Sequence, residues 1–178
     1  MTIFLIISGC LLWTAALALL PRRVILGPPL SYCAMLLMSL TVSKEGYPLF
    51  PLPSSLLISW LCITLAVMLV VVLQSPALRS RSRGVVYMTA GGVAGMLTGL
   101  ASLSLTSQLS PAYALMILGA AIGTALGLLF FSSTPNGREI APRSGYFFKY
   151  LLAKGFPVLI TVAQLGIILV IIAARHLQ

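Results

Sequence analysis

The ionisable side chains that could support catalysis are few and far apart in this sequence. Aspartate is absent, the two carboxylates are Glu45 and Glu139, and the one histidine is His176. General acid–base catalysis needs titratable groups within hydrogen-bond reach of each other, and a serine triad needs a base and an orienting group. Glu45 and Glu139 fall in different connections, which are predicted to lie on opposite sides of a membrane. The sequence therefore predicts a protein that is not an enzyme.

The cysteines do not form a metal-ligand pattern either. Cys10, Cys33 and Cys62 all fall inside apolar segments, without a Cys-x-x-Cys spacing and without a neighbouring histidine. Zinc needs three or four clustered ligands, and calcium or magnesium needs clustered oxygen atoms. We therefore expect no metal and no cofactor, and we expect the three thiols to be buried as small apolar side chains.

The composition that leaves so little chemistry is typical of a membrane protein. Apolar residues make up 60% of the chain and charged residues 7%, against about 25% charged residues in soluble domains. Apolar stretches lie near 2–20, 24–43, 55–74, 85–106, 112–132 and 156–174. Since about 20 apolar residues cross a bilayer as a helix, we predict an all-α, polytopic bundle of about six transmembrane helices in three hairpins. One membrane domain covers 1–178.

The basic residues predict how the chain is oriented. Eight of the eleven lie in the odd-numbered connections: Arg22, Arg23, Arg79, Arg81, Arg83, Arg138, Arg143 and Lys149. By the positive-inside rule, both termini are expected on the outer, periplasmic side of a bacterial inner membrane. Residues 1–20 lack a basic start and are too long an apolar run for a signal peptide, so we expect an uncleaved first span. The net charge of +9 is explained by anionic lipid headgroups, without nucleic acid as a partner.

Two glycine ladders carry the clearest packing signal. The first is Gly91, Gly95 and Gly99, and the second is Gly119, Gly123 and Gly127. Both repeat every four residues, which places small residues on one helix face and lets helix backbones approach closely in lipid. The ladders are mirror-related about Leu109, which predicts a turn near 107–111 and pairs 91 with 127, 95 with 123, and 99 with 119. The simpler interpretation is a seam within the chain. The alternative adds a second small face for another subunit, with Ala94, Ala101 and Ala125.

Three further residues could mark a cavity. Gln164 is a polar residue in the middle of the sixth predicted span, and Pro28 and Pro29 follow Gly27 at the start of the second. Proline fits the first turn of a helix, so a plain helix start is the first interpretation. A broken helix that lines a transport cavity is the alternative. A central glutamine more often bonds a neighbouring helix than lines a pore.

Two connections have distinctive compositions. Three prolines in 44–54 predict a stiff, extended outer segment that lies over the helix ends. Mixed aromatic and basic residues in 145–155 predict a short cytoplasmic interfacial helix, with a bend at Gly155 and Pro157 before the last span. Contacts with lipid or a partner are predicted for Arg79, Arg81, Arg83, Tyr146, Phe147, Phe148, Lys149 and Lys154.

These features together favour a structural rather than a chemical role. No ionisable residue lies centrally in a predicted span, which disfavours ion-coupled transport through a buried carboxylate. The expected function is that of a structural or accessory subunit of a larger inner-membrane complex, with other membrane subunits as partners. The alternative is a small transporter, channel or lipid-handling protein.

Overall fold

The chain forms a helical bundle in the computed structural model, which describes residues 2–42, 46–74, 83–101, 109–140 and 142–177. The first helices are α1 (Thr2–Leu19), α2 (Gly27–Ser39, after a 3-10 turn at Val24–Leu26) and α3 (Ser54–Val72). Next come α4 (Val85–Ala101), α5 (Leu109–Ser133) and a 3-10 turn at Arg138–Ile140. The last helical run consists of α6 (Tyr146–Tyr150), a π-helical turn (Leu151–Gly155) and α7 (Phe156–Leu177). The all-α prediction is confirmed for the described residues, which contain no strand beyond an isolated bridge between Val42 and Pro48.

Among the described residues, four helical segments are long and apolar enough to cross a membrane: Thr2–Leu19, Ser54–Val72, Pro111–Ser133 and Tyr146–Ala174. They indicate a membrane protein, since each reaches about the length of a transmembrane helix. The other two apolar segments, Val24–Ser39 and Val85–Ala101, are shorter than the predicted spans 24–43 and 85–106. Residues 102–106 of the latter lie outside the described residues.

The second helix ends in a tight turn at Thr41. The Met38 carbonyl accepts from both the Thr41 N–H (3.0 Å) and the Thr41 hydroxyl (2.6 Å), so it keeps partners at the helix end. The chain then folds back, and the Leu49 N–H donates to the Thr41 carbonyl (2.9 Å). Phe50 and Leu52 pack against the core. Within the predicted outer connection, Phe50 and Leu52 thus lie against the helices while Tyr47 is exposed, and residues 44 and 45 lie outside the described residues.

The last helix, α7, is the centre of the bundle. It contacts two groups of helices, the N-terminal α1, α2 and α3 and the later pair α4 and α5. Of the segment Tyr146–Ala174, 67% is buried, compared with 17% of Thr2–Leu19. Because α7 joins the two groups of helices, its side chains decide how the parts of the bundle fit together.

The π-helical turn before α7 has a cause in the sequence. In an α-helix the N–H of residue 157 would donate to the carbonyl of Ala153, but Pro157 has no N–H and its ring clashes with that carbonyl. The helix widens here, and the Phe156 N–H donates to the Leu151 carbonyl, five residues back. Gln74, just after α3, supplies the missing donor, since its Nε2 lies 2.7 Å from the Ala153 oxygen.

The predicted interfacial helix at 145–155 is therefore not a separate element. At the expected bend, Gly155 and Pro157, the backbone remains helical through a π-helical turn. A Cβ added to Gly155 would lie 3.5 Å from both Met88 of α4 and Thr124 of α5. Both distances are ordinary van der Waals contacts, so the helix packs directly against the α4–α5 pair at Gly155.

The prediction that the thiols are buried is also wrong. Cys10, Cys33 and Cys62 all lie exposed on the outer surfaces of α1, α2 and α3. A transmembrane helix is apolar on its lipid-facing side as well as on its packed side, so an apolar neighbourhood in the sequence does not imply burial.

Candidate functional site

The closest helix contact in the described structure is the seam between α4 and α5. A Cβ added to Gly95 would overlap the carbonyl oxygen of Gly119, and one added to Gly91 would overlap the carbonyl oxygen of Gly123. The reverse also holds, since a Cβ on Gly119 or Gly123 would overlap the backbone of the opposite helix. Only glycine allows two backbones to approach so closely, and this close approach allows weak Cα–H···O contacts between the helices.

The register of the seam is offset by about half a helical turn from the predicted pairing of 91 with 127 and 95 with 123. A Cβ on Gly91 would lie 3.2 Å from the Cα of Gly127, and one on Gly95 would lie 3.2 Å from the Cα of Gly123. A Cβ on Gly119 would lie 3.5 Å from the Gly99 nitrogen. Each glycine therefore sits between two residues of the opposite helix, one turn apart.

The two ends of the seam meet residues with side chains. A Cβ on Gly99 would lie 2.6 Å from the Cα of Met116, and one on Gly127 would lie 3.0 Å from the Cα of Met88. Of the predicted turn at 107–111, residues 107 and 108 lie outside the described residues, and α5 begins at Leu109.

An apolar groove of about 670 Å³ runs along the outer side of this seam. Glycines of both ladders form its floor. The α4 wall bears Tyr87 at one end and then small residues at a spacing of four, Ala90, Ala94 and Thr98. The α5 wall consists of large residues, Ile122, Leu126 and Phe130. The Thr98 hydroxyl donates to the Gly95 carbonyl (2.8 Å) of its own helix. The groove therefore has one low wall, one high wall and little free hydrogen-bonding capacity.

Gln164 lies in a polar cluster at the centre of the bundle. Its side chain is fully buried, its Nε2 donates to the Thr64 hydroxyl of α3 (2.9 Å), and its Oε1 accepts from the Ser31 hydroxyl of α2. The Thr64 hydroxyl also lies 2.7 Å from the Trp60 carbonyl. Three helices are thus held together by one amide, and that amide is occupied by protein partners.

The two prolines proposed with Gln164 lie at the start of α2. Pro28 is buried and Pro29 half-buried in the first turn. A backbone N–H has no partner within the helix at this position, so the missing N–H of proline costs no hydrogen bond. The Ser31 hydroxyl lies 3.0 Å from the Pro28 carbonyl, so the cluster begins directly at this helix start. Ser31 and Thr64 were not singled out from the sequence. The sequence signal that could have found them is a hydroxyl residue inside a neighbouring apolar span, because a buried glutamine needs hydrogen-bond partners there.

The predicted lipid or partner contacts fall into two groups. Arg83, Tyr146, Phe148 and Lys149 are exposed, while Arg79 and Arg81 lie outside the described residues. Phe147 and Lys154, in contrast, are buried, with exposed fractions of 7% and 3%. For these two the expected surface position is wrong, because the continuous helix brings residues seven apart onto the face that packs against the bundle.

The described residues contain no group of three or more histidine, cysteine or acidic side chains that could hold a metal ion. Comparison with known proteins gives no assignment: no family model, curated protein or solved structure matches this chain.

Proposed function

We propose that this protein is a non-catalytic structural or accessory subunit of a larger inner-membrane complex. The groove on the α4–α5 pair is its docking site for a transmembrane helix of a partner subunit. This groove is the observation that carries the proposal, because it is apolar, open to the surroundings and floored by glycine backbone.

The chemistry of the groove suits a helix. Helices associate in lipid through close packing, which is favoured where small residues let the backbones approach. Ala90 and Ala94 are exposed and stand one helical turn apart beside the glycine floor. A partner helix could therefore lie against α4 at short range, with the ridge of α5 along its flank.

The interior supports a structural role. The buried amide of Gln164 bonds side chains of two other helices. In the membrane such bonds stabilise packing by about 0.6 kcal/mol on average. They join α2, α3 and α7 into one scaffold on which the α4–α5 pair is presented.

The proposed topology has six spans and both termini on the outer side. The exposed Arg22, Arg23, Arg138, Arg143 and Lys149 then lie at the cytoplasmic surface, beside anionic headgroups. The partner helix enters the groove within the bilayer, and the chain contributes no reacting group.

Mild-detergent purification of a tagged chain tests the docking role. The wild type is expected to retain a membrane partner at fixed stoichiometry, and Ala94→Leu is expected to lose it because leucine raises the low wall of the groove. Ala66→Leu is the matched control, since Ala66 is an exposed alanine within α3, outside the groove. Both variants should unfold at the wild-type temperature.

The result that counts against the proposal is equal recovery of the partner with Ala94→Leu and with Ala66→Leu. A partner-free chain that moves a lipid or solute across liposomes would instead establish the alternative, a transporter or lipid-handling protein.

A further inference from the structure

We infer that a narrow cleft beside the π-helical turn binds one acyl chain of an anionic phospholipid, whose phosphate lies next to Lys149. This cleft shares no lining residue with the groove along the α4–α5 seam. The inference goes beyond the proposed function, because it holds with or without a partner subunit in that groove.

The cleft lies between α5 and the last helical run and has a volume of about 170 Å³. Its α5 wall consists of small residues, Ala121, Thr124 and Ala125. The Thr124 hydroxyl donates to the Ala120 carbonyl of its own helix (2.7 Å), so this wall offers the cleft no hydrogen-bond donor. Such a surface suits hydrocarbon.

The π-helical turn forms the opposite wall. Leu151, Leu152 and Gly155 belong to this turn, and Phe156 follows it directly. A π-helical turn widens a helix locally, and such turns often occur at functional sites. Leu152 and Phe156 have exposed fractions of 61% and 41%, so the cleft opens on the lipid-facing side of the bundle.

The size of the cleft decides what can fill it. A helix with its side chains is about 10–12 Å across, too wide to enter a cleft of this volume. An apolar cavity of about 150 Å³ holds benzene, so this cleft can take a stretch of about six chain carbons. Acyl chains are the hydrocarbon that surrounds an exposed apolar surface in a bilayer, and they are therefore the occupant that fits.

A basic residue lies at the right depth to hold the headgroup. Lys149, Leu152 and Phe156 are all exposed, at spacings of three and four along the last helical run. Lys149 precedes Phe156 by seven residues, about 10 Å at 1.5 Å per residue. The headgroup layer adds about 5–7 Å to each side of the hydrocarbon. A phosphate level with Lys149 thus places the first carbons of its acyl chains at the cleft.

The surroundings of Lys149 carry an excess of positive charge. The turn Arg138–Ile140 packs against α6, which contains Lys149. Arg138 and Arg143 are exposed, and Glu139 is the one acidic residue between 138 and 149. Basic residues at the membrane surface attract anionic lipids. Charge complementarity therefore favours an anionic phospholipid over a zwitterionic one.

Native mass spectrometry of the full chain in micelles tests the headgroup. The probes are anionic phosphatidylglycerol and zwitterionic phosphatidylcholine, which carry the same acyl chains and are supplied in equal amounts. The wild type should retain one phosphatidylglycerol with about fivefold preference, the factor expected of one basic residue. Lys149→Gln should retain the two lipids equally. Arg23→Gln, the matched control at an exposed arginine after α1, should keep the preference.

Filling the cleft tests the acyl chain. Ala121 and Ala125 are half-buried and stand one helical turn apart, so Ala121→Leu and Ala125→Leu fill the same space from two positions. Both variants should lose the bound lipid, whatever its headgroup. Ala66→Leu, at an exposed alanine of α3 outside the cleft, should retain it. A wild-type unfolding temperature in either cleft variant excludes misfolding as the cause.

Three results overturn the inference. An equal lipid ratio in the wild type and in Lys149→Gln excludes Lys149 as the headgroup site. Unchanged lipid retention in both cleft variants excludes the cleft. A protein that co-purifies with the wild type but not with Ala125→Leu excludes a lipid as the occupant. None of them alters the proposed docking role of the α4–α5 groove, which Ala94→Leu tests.

Discussion

Replacement of Gln74 by leucine removes the donor that serves the Ala153 carbonyl. This oxygen has no ordinary partner four residues on, because residue 157 is a proline. The Gln74 amide lies 2.7 Å from it. Loss of one partner from a buried hydrogen bond costs about 1–3 kcal/mol. For a chain of this size each kcal/mol shifts Tm by about 2–4 °C, so Gln74→Leu should lower Tm by about 2–12 °C.

A double-mutant cycle shows whether the cause is the proline. Pro157→Ala restores an N–H that can donate to Ala153, so Gln74→Leu should then destabilise the protein less, by about 1 kcal/mol. The four proteins are compared by reversible unfolding in mixed detergent micelles, monitored by helix content or tryptophan fluorescence. The two substitutions should be non-additive because the Gln74 amide and the N–H restored at residue 157 donate to the same Ala153 carbonyl.

Gln164→Leu provides the matched control for the cycle. Gln164 lies seven residues beyond Pro157 on the same helix, about 10 Å along its axis. Its replacement should destabilise the protein equally with proline or alanine at 157, as distant sites are usually additive. Equal effects of Gln74→Leu in both backgrounds would refute the account of the π-helical turn given above.

Three further predictions concern the α4–α5 seam, the Gln164 cluster and the membrane topology. Gly95→Leu should abolish the folded state, because its Cβ overlaps the Gly119 backbone. Gly145→Leu should leave Tm unchanged, because no atom lies within 4 Å of its Cβ. Equal Tm values for the two variants would contradict the close α4–α5 contact. Gln164→Leu alone should destabilise the protein by only about 0.6–1.7 kcal/mol in micelle unfolding. The reason is that the hydroxyls of Ser31 and Thr64 keep backbone acceptors. A much larger loss would contradict this account of the Gln164 hydrogen bonds. In a cysteine-free background, an impermeant maleimide should label Tyr47→Cys but not Lys149→Cys in intact cells, and the reverse pattern would invert the topology.

Part of the α4–α5 seam could be predicted from the sequence. A spacing of four places Gly91, Gly95 and Gly99 on one helix face whatever surrounds them, because the helical period is a property of the backbone. The mirrored spacing of the second ladder likewise follows from an antiparallel pair. What the spacing did not reveal was which flank of the seam stays open, since that depends on the side chains beside the glycines and on where α7 packs.

The positions of single residues in the interior were harder to predict. Lys154 was expected at the surface, yet the helix continues through Pro157 and turns Lys154 inward. The reason is non-local, because it lies in the packing of Gly155 against α4 and α5 and in a donor from Gln74. Neither contact is encoded within the segment 145–157.

The sequence by itself determined the helical class, the apolar length of the segments and the faces on which glycine repeats. These properties follow from composition and from local period, which act within a few residues. Only the tertiary structure decided that Cys10, Cys33 and Cys62 are exposed, that Gln164 bonds Ser31 and Thr64, and that a groove remains along the seam. The physical reason is that lipid and protein interior are both apolar, so hydrophobicity alone does not distinguish the outer side of a membrane helix from its packed side.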